Sequence, residues 1–359
     1  MAAVTERSSA AIDSDFQESP RHSWRTIAGI PFVSEVMVER RTFIGGGAVL
    51  MLAFASAANP ADRLPRIGVL SLGQAGTGAE AMRQGLEALG YVEGRTIVIE
   101  WRWWQGDPDR LRDVVAEMVR LDLDVIVVGG SEATKAMKEA TRSTPIVFSG
   151  PSYPVEEGLV QSFARPGGNI TGVTVAQSDT VTKLLQLLRD VVPALADVCV
   201  IWSPANPGTE LTLRDMEAAA RTLKLRVLPV AMSSAGDVES ALATVARARP
   251  GALIVLPAAV PTAHAERISE LAIRLRIPSI NANKALMERG LLMSYGANPR
   301  DVARRIPGYV DRILKGARPA EMPVERPTKF ELAINMKTAK AIGLKIPQAL
   351  RLRADELRQ

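Results

Sequence analysis

Short β-branched apolar runs recur along this chain, each followed by a longer stretch with helical spacing, and that alternation restricts the fold more than any other feature. Arg66-Ile67-Gly68-Val69-Leu70-Ser71 reads as a buried strand. Residues 79–89 then read as a helix closed by Gly90. Residues 96–101 give a second strand, and residues 108–121 a helix with Asp107 as N-cap and Pro108 in its first turn. Residues 124–128 form a third strand, 132–141 a helix and 145–148 a fourth strand. Strand and helix in strict alternation predict a parallel, doubly wound sheet.

The segment Arg165-Pro166-Gly167-Gly168-Asn169-Ile170-Thr171-Gly172 interrupts the rhythm and reads as a linker or hinge. The alternation then resumes through strands at 198–202, 226–230, 252–256 and 278–280, with helices between them. A strand at 291–295, a helix at 299–314 ended by Gly316, a strand at 330–334 and a short helix at 338–342 complete the chain. About 300 residues exceed one comfortable core, so two lobes are expected. The expected division is residues 64–171 with about 296–322 in the first lobe, and 172–295 with about 323–359 in the second.

Residues 1–58 stand apart from this pattern. Arg40 and Arg41 precede an uncharged apolar run from Phe43 to Phe54, and Ala55-Ser56-Ala57 follows as a cleavage pattern. The arrangement looks like a twin-arginine export signal. The run is too short to span a bilayer, which takes roughly 20 residues. Cleavage is expected near Ala57-Ala58, leaving a periplasmic protein with no membrane span. Either Met1 or Met37 could start the chain.

Composition narrows the chemistry further. The net charge of +5 is spread along the chain, which fits a solvated surface and not a nucleic-acid stripe. The single cysteine, Cys199, lies in an apolar run and reads as a small buried hydrophobe. With one cysteine and two histidines no Cys/His metal site is expected, and neither is a cofactor. No nucleophile elbow, complete phosphate loop or paired carboxylates stand out, so no catalytic residue is assigned.

Ligands of doubly wound sheets sit at the carboxyl ends of the strands. That geometry places Ser71, Gly73, Ser131, Glu132, Ser149 and Tyr153 on one wall of a cleft. Asn206, Pro257, Asn281 and Tyr295 form the other wall or its border. Turns rich in small and hydroxyl residues also make ordinary helix caps, so each position taken alone has a purely structural reading. Trp101, Trp103 and Trp104 could form an aromatic wall, but packing against the following helix is the preferred reading.

Several ordered blocks carry a family resemblance. Pro145 to Phe148, Pro154-Val155, Gly158 to Val160 and Ala164 to Gly172 are similar to ABC transporter substrate-binding proteins related to the tryptophan-binding lipoproteins of Gram-positive bacteria. Ser294-Tyr295-Gly296, Pro327 to Leu332 and Ala339 to Leu344 extend the resemblance over residues 64–358. It implies two Rossmann-like lobes with mostly parallel sheets joined by a hinge, the type I periplasmic-binding-protein architecture. It also implies a monomeric receptor, not an enzyme, that captures a small molecule, such as an amino acid or aromatic compound, for an ABC permease. A ligand-binding subunit for a signalling partner is the first alternative, and an α/β enzyme the second. Where the family carries Asp before Pro-Val, this chain has Tyr153, which removes an anionic partner for a ligand amine from that loop.

Overall fold

The computed structural model describes residues 63–73 and 77–359, all within one compact unit. The export signal expected in residues 1–58 lies outside the described residues. In the first half, β1 (Arg66–Ser71), α1 (Thr77–Ala88), β2 (Val98–Trp103), α2 (Pro108–Arg120), β3 (Val125–Gly129), α3 (Ser131–Ala140) and β4 (Ile146–Ser149) alternate as the sequence predicts. With β5 (Ile170–Val173) the strands form a parallel five-stranded sheet of order β2-β1-β3-β4-β5. The near-continuous apolar runs follow from burial of both sheet faces. Val125 and Val127 pack towards α1, while Ile126 and Val128 pack towards α2 and α3.

The second sheet is larger. It collects α4 (Val181–Val191), β6 (Asp197–Trp202), α5 (Pro207–Thr222), β7 (Arg226–Ala231), α6 (Val238–Ala248) and β8 (Leu253–Val255). The short α7 (Ala259–Ala263), then α8 (Ala265–Leu275), β9 (Ser279–Asn281), α9 (Lys284–Glu288) and β10 (Met293–Ala297) follow. Next, α10 (Pro299–Leu314) returns to the first sheet and packs on α1, where Gly85 leaves Pro307 room to approach. Finally β11 (Phe330–Asn335), α11 (Met336–Ala341), α12 (Gln348–Arg353) and β12 (Glu356–Arg358) rejoin the second sheet. Its order is β12-β11-β10-β9-β8-β6-β7, parallel except for the antiparallel pair β10–β11. Val198 and Val200 face α4 and α5, and Cys199 and Ile201 face α6 and α8.

One segment departs from expectation. The Pro- and Gly-rich stretch read as a linker ends in β5, which is fully paired with β4. Gly172 sits inside that strand at a φ of 153°, and an added Cβ would overlap the backbone of Phe148. It is a close-packing glycine and not a hinge. The chain instead leaves the first sheet after Val173, returns near Asn298 and leaves again near Pro327. These three crossings run side by side, since Val173, Asn298 and Pro327 line one small cavity.

Three helices share one start, in which an Asp or Asn N-cap precedes Pro in the first turn. Asp107 accepts from the N–H groups of Asp109 and Arg110, Asn206 from Gly208, and Asn298 from Arg300. The side-chain oxygen satisfies donors that the helix leaves free, and Pro lacks the one donor that would be lost.

Candidate functional site

A cavity of about 320 Å³ lies between the carboxyl ends of the two sheets. Each sheet contributes the loops that follow its strands, as the crevice rule for open α/β sheets requires. On the first side Leu72 follows β1, Gly130 to Glu132 follow β3, and Ser149, Gly150 and Ser152 stand at the end of β4 and just beyond it. On the second side Asn206, Gly208 and Thr209 follow β6, Pro257 to Ala259 follow β8, and Ala282 and Asn283 follow β9. Gln177 and Thr180 close it from the first crossing, and Gly296 and Pro299 from the second.

Five of the ten sequence-derived candidates line this cavity: Ser131, Glu132, Ser149, Asn206 and Pro257. Ser131 begins α3 behind Gly130, which takes a φ of 84° and supplies no side-chain cap. The first N–H groups of α3 are therefore left without a capping side chain. Asn206 lines the cavity, but its amide oxygen is engaged in capping α5. Burial pushes the Glu132 carboxyl up to about 7, although the Ala259 backbone N–H donates to it from the opposite sheet. The neighbouring Glu157 carboxylate raises it further.

The other five sit elsewhere, each for a local reason. Ser71 turns its hydroxyl to the carbonyl of Gly73 at 2.9 Å, and Gly73 is exposed beyond it, so Leu72 takes their place on the wall. Asn281 is fully buried at the end of β9, one residue short of the lining. Tyr295 lies over Phe330 with ring centroids 6.1 Å apart, against the core of the second sheet.

Tyr153 is the largest correction. It is 5% exposed and turned towards α5, where its hydroxyl donates to the Asp215 carboxylate at 2.7 Å. Its own N–H donates to Glu157 at 3.1 Å. Burial and the Asp215 charge hold its phenol well above the usual range. This side chain ties the loop after β4 to a helix of the second sheet and does not line the cavity.

Sequence reading missed Gln177 and preferred a packing role for Trp104. Trp104 stands at the end of the Trp-rich strand and is both core and wall: it is 3% exposed, packs with Leu111, and lines the cavity. Gln177 belongs to the crossing segment, which has no periodic pattern to mark it. Glu157 stands beside the start of α5, where its Oε1 would be 3.0 Å from a Cβ on Gly208. No group of His, Cys, Asp and Glu suited to a metal ion occurs among the described residues. No helix among them is long and apolar enough to cross a membrane.

Two mostly parallel sheets facing each other across a ligand-sized cavity define a two-lobe α/β binding protein. Residues 76–358 match the ABC transporter substrate binding protein family, and the chain belongs to that family. It is 25% identical over 264 residues to a tyrosine-binding protein of Clostridioides difficile strain R20291, covering 72% of this chain and 74% of that one. A conserved domain protein from Vibrio cholerae has the same fold, with a TM-score of 0.77, 24% identity and coverage of 82% of this chain and 100% of that one. So does a Streptococcus pneumoniae ABC domain solved in complex with L-Trp, with a TM-score of 0.76, 22% identity and the same coverage.

Proposed function

We propose that this protein is an exported solute receptor that captures an amino acid or a related aromatic compound and delivers it to an ABC permease. The observation that carries the reading is the cavity whose walls come from both sheets, so that a ligand touches both lobes at once. A ligand held that way favours the closed arrangement by the difference in its contacts between open and closed forms. The three adjacent crossings supply the hinge. Family membership supports a binding role without chemical conversion, and the tyrosine-binding relative and the L-Trp complex support the ligand class. The mature protein works as a monomer in the periplasm.

Native mass spectrometry of protein purified from its host, without refolding, tests the binding role by revealing a retained small molecule. Solution scattering with that molecule present should show compaction, and identical profiles at saturation would remove the clamshell mechanism. Changing Arg40 and Arg41 to Lys should block export, and unchanged export would remove the twin-arginine route.

A further inference from the structure

We infer that the ligand carries a cationic amine and that Glu132 is the residue that selects it, an inference that rests on the receptor reading above. Among the described residues lining the cavity, Glu132 is the one ionisable side chain, and no Lys, Arg or His accompanies it. The rest of the lining is uncharged: small, hydroxylic, amide or apolar. A largely buried carboxylate on such a wall lacks a counter-charge when ionised, and an ammonium group supplies one. The second sheet's wall offers no acid of its own.

The loop after β4 brings Glu132 a like charge, Glu157, with its Oε2 buried and unpartnered among the described residues. On the helix of Glu132, Lys135 and Glu139 line an adjoining cavity of about 290 Å³ that shares Glu132 and Trp104 with the first. Lys135 is exposed there, and the state of Glu132 follows from burial and Glu157. The second sheet's loops meet it with the neutral Ala259 N–H.

Two further wall residues point to the rest of the ligand. Trp104 and Gln177 are 3% and 5% exposed, and each holds an N–H group without a partner among the described residues. Buried donors are costly to leave unpaired, and a carboxylate or carbonyl on the same ligand would satisfy them. An amine and an acceptor on one small molecule describe a free amino acid.

The pairing has a pH signature. With its carboxyl held up at about 7, the empty site is partly protonated near neutral pH. Pairing with an ammonium ionises Glu132 and releases that proton. Affinity should therefore rise with pH through this range, by at most about tenfold per pH unit for one proton.

Calorimetry on the exported protein tests this with L-tyrosine, L-tryptophan and the same two acids lacking the amino group. The amino acids should bind at least about tenfold more tightly than their amine-free counterparts. Glu132→Gln should erase that gap, and titrations in phosphate and Tris should show proton release in the natural protein and none in the variant. Glu157→Gln, outside the lining, should stay within a few-fold of the natural affinity. Equal affinity for amine and amine-free acids, an unaffected Glu132→Gln, or a Glu157→Gln loss as large as that of Glu132→Gln would overturn the assignment and leave the receptor reading standing. If neither acid binds, the molecule retained from the host decides: one with an amine supports the inference, one without overturns it. No retained molecule at all would overturn the receptor reading with it.

Discussion

The two walls of the cleft are made from the same strand–turn–helix unit, yet they carry different chemistry. The first sheet's wall presents Glu132 and Trp104, with Glu157 and Tyr153 beside it. The second sheet's wall presents neutral amides, small residues and the capped start of α5. Contact between them is correspondingly one-sided. Glu132 receives the Ala259 N–H, Glu157 stands against Gly208, and Tyr153 reaches Asp215. The difference teaches that the titratable groups gathered on one wall lean on the other wall, on backbone at Ala259 and Gly208 and on a side chain at Asp215. Such a wall is less stable empty than a neutral one, whereas the facing wall can be optimised for folding alone.

The largest effects should come from glycines that let strands pass closely on either side. Gly172 in β5 and Gly296 in β10 each leave no space for a Cβ, against Phe148 and Ala282 respectively. In both cases the obstruction is backbone, which cannot yield as a flexible side chain could. Gly172 also takes a φ that only glycine holds without strain. Gly172→Ala should cost on the order of 5 kcal/mol, and Gly296→Ala a similar amount, in urea unfolding. The two should differ in binding. Gly296 lines the cavity and Gly172 does not, so at permissive temperature only Gly296→Ala should lose ligand. Equal binding by both folded variants would mean that the ligand does not reach the second crossing.

Tyr153 tests whether the walls are coupled by side chains. Tyr153→Ala empties a buried site and should cost about 3 kcal/mol in thermal or urea unfolding. Tyr153→Phe loses only the bond to Asp215 and should cost about 1–2 kcal/mol. Were Tyr153 a ligand contact instead, affinity would fall while the unfolding midpoint held.

That residue also shows where sequence reading reaches its end. The three Asx-Pro helix starts were legible, because cap and first turn are set within four residues. Glu132 was legible too, because the carboxyl end of β3 fixes where its helix begins. The direction of Tyr153 was not, since it is set by Asp215, which lies 62 positions away in sequence. β5 was hidden because Ile170–Val173 is four residues long and sits in a stretch whose Pro and Gly speak for a turn. Asn281 was placed at the correct strand end, and Tyr295 at the end of a strand that in fact runs on to Ala297, but both face away from the cavity, since a shift of one residue along a strand reverses its face. Gln177 lies outside any repeating pattern, and only the packing of the crossing brings it to the cavity.

Glu132 offers the sharpest test of the cost of a charged wall. Its folded carboxyl is raised from the usual 4.5 to about 7, so the folded protein holds this proton where the unfolded chain has lost it. Between those values the contribution of Glu132 to stability falls as pH rises, and above about 7 the full penalty is present. Glu132→Gln should therefore stabilise the ligand-free protein by about 1–3 kcal/mol near pH 8 and by almost nothing near pH 4. Paired urea titrations across that range check it. A gain independent of pH would trace the effect to packing and not to charge.

The smallest effect belongs to the hinge, where neither wall dominates. Arg326, on the third crossing, grips both oxygens of Asp179, just beyond the first crossing, at 2.6 and 2.7 Å. Its guanidinium also lies over the Phe163 ring, 5.2 Å from the centroid. Both charged side chains are nearly half exposed, so water and salt screen the pair. A double-mutant cycle of Asp179→Asn and Arg326→Gln should give a coupling of about 0.5 kcal/mol or less, fading at high salt. Its functional consequence should exceed its stability, because the pair joins the segments that must rotate when the lobes part. A domain equilibrium within a few kcal/mol of balance responds to small biases. Scattering of the ligand-free double variant should therefore show a more open average shape at almost unchanged stability. An unchanged profile would place the pair outside the moving part of the hinge and shift that role to the backbone near Asn298.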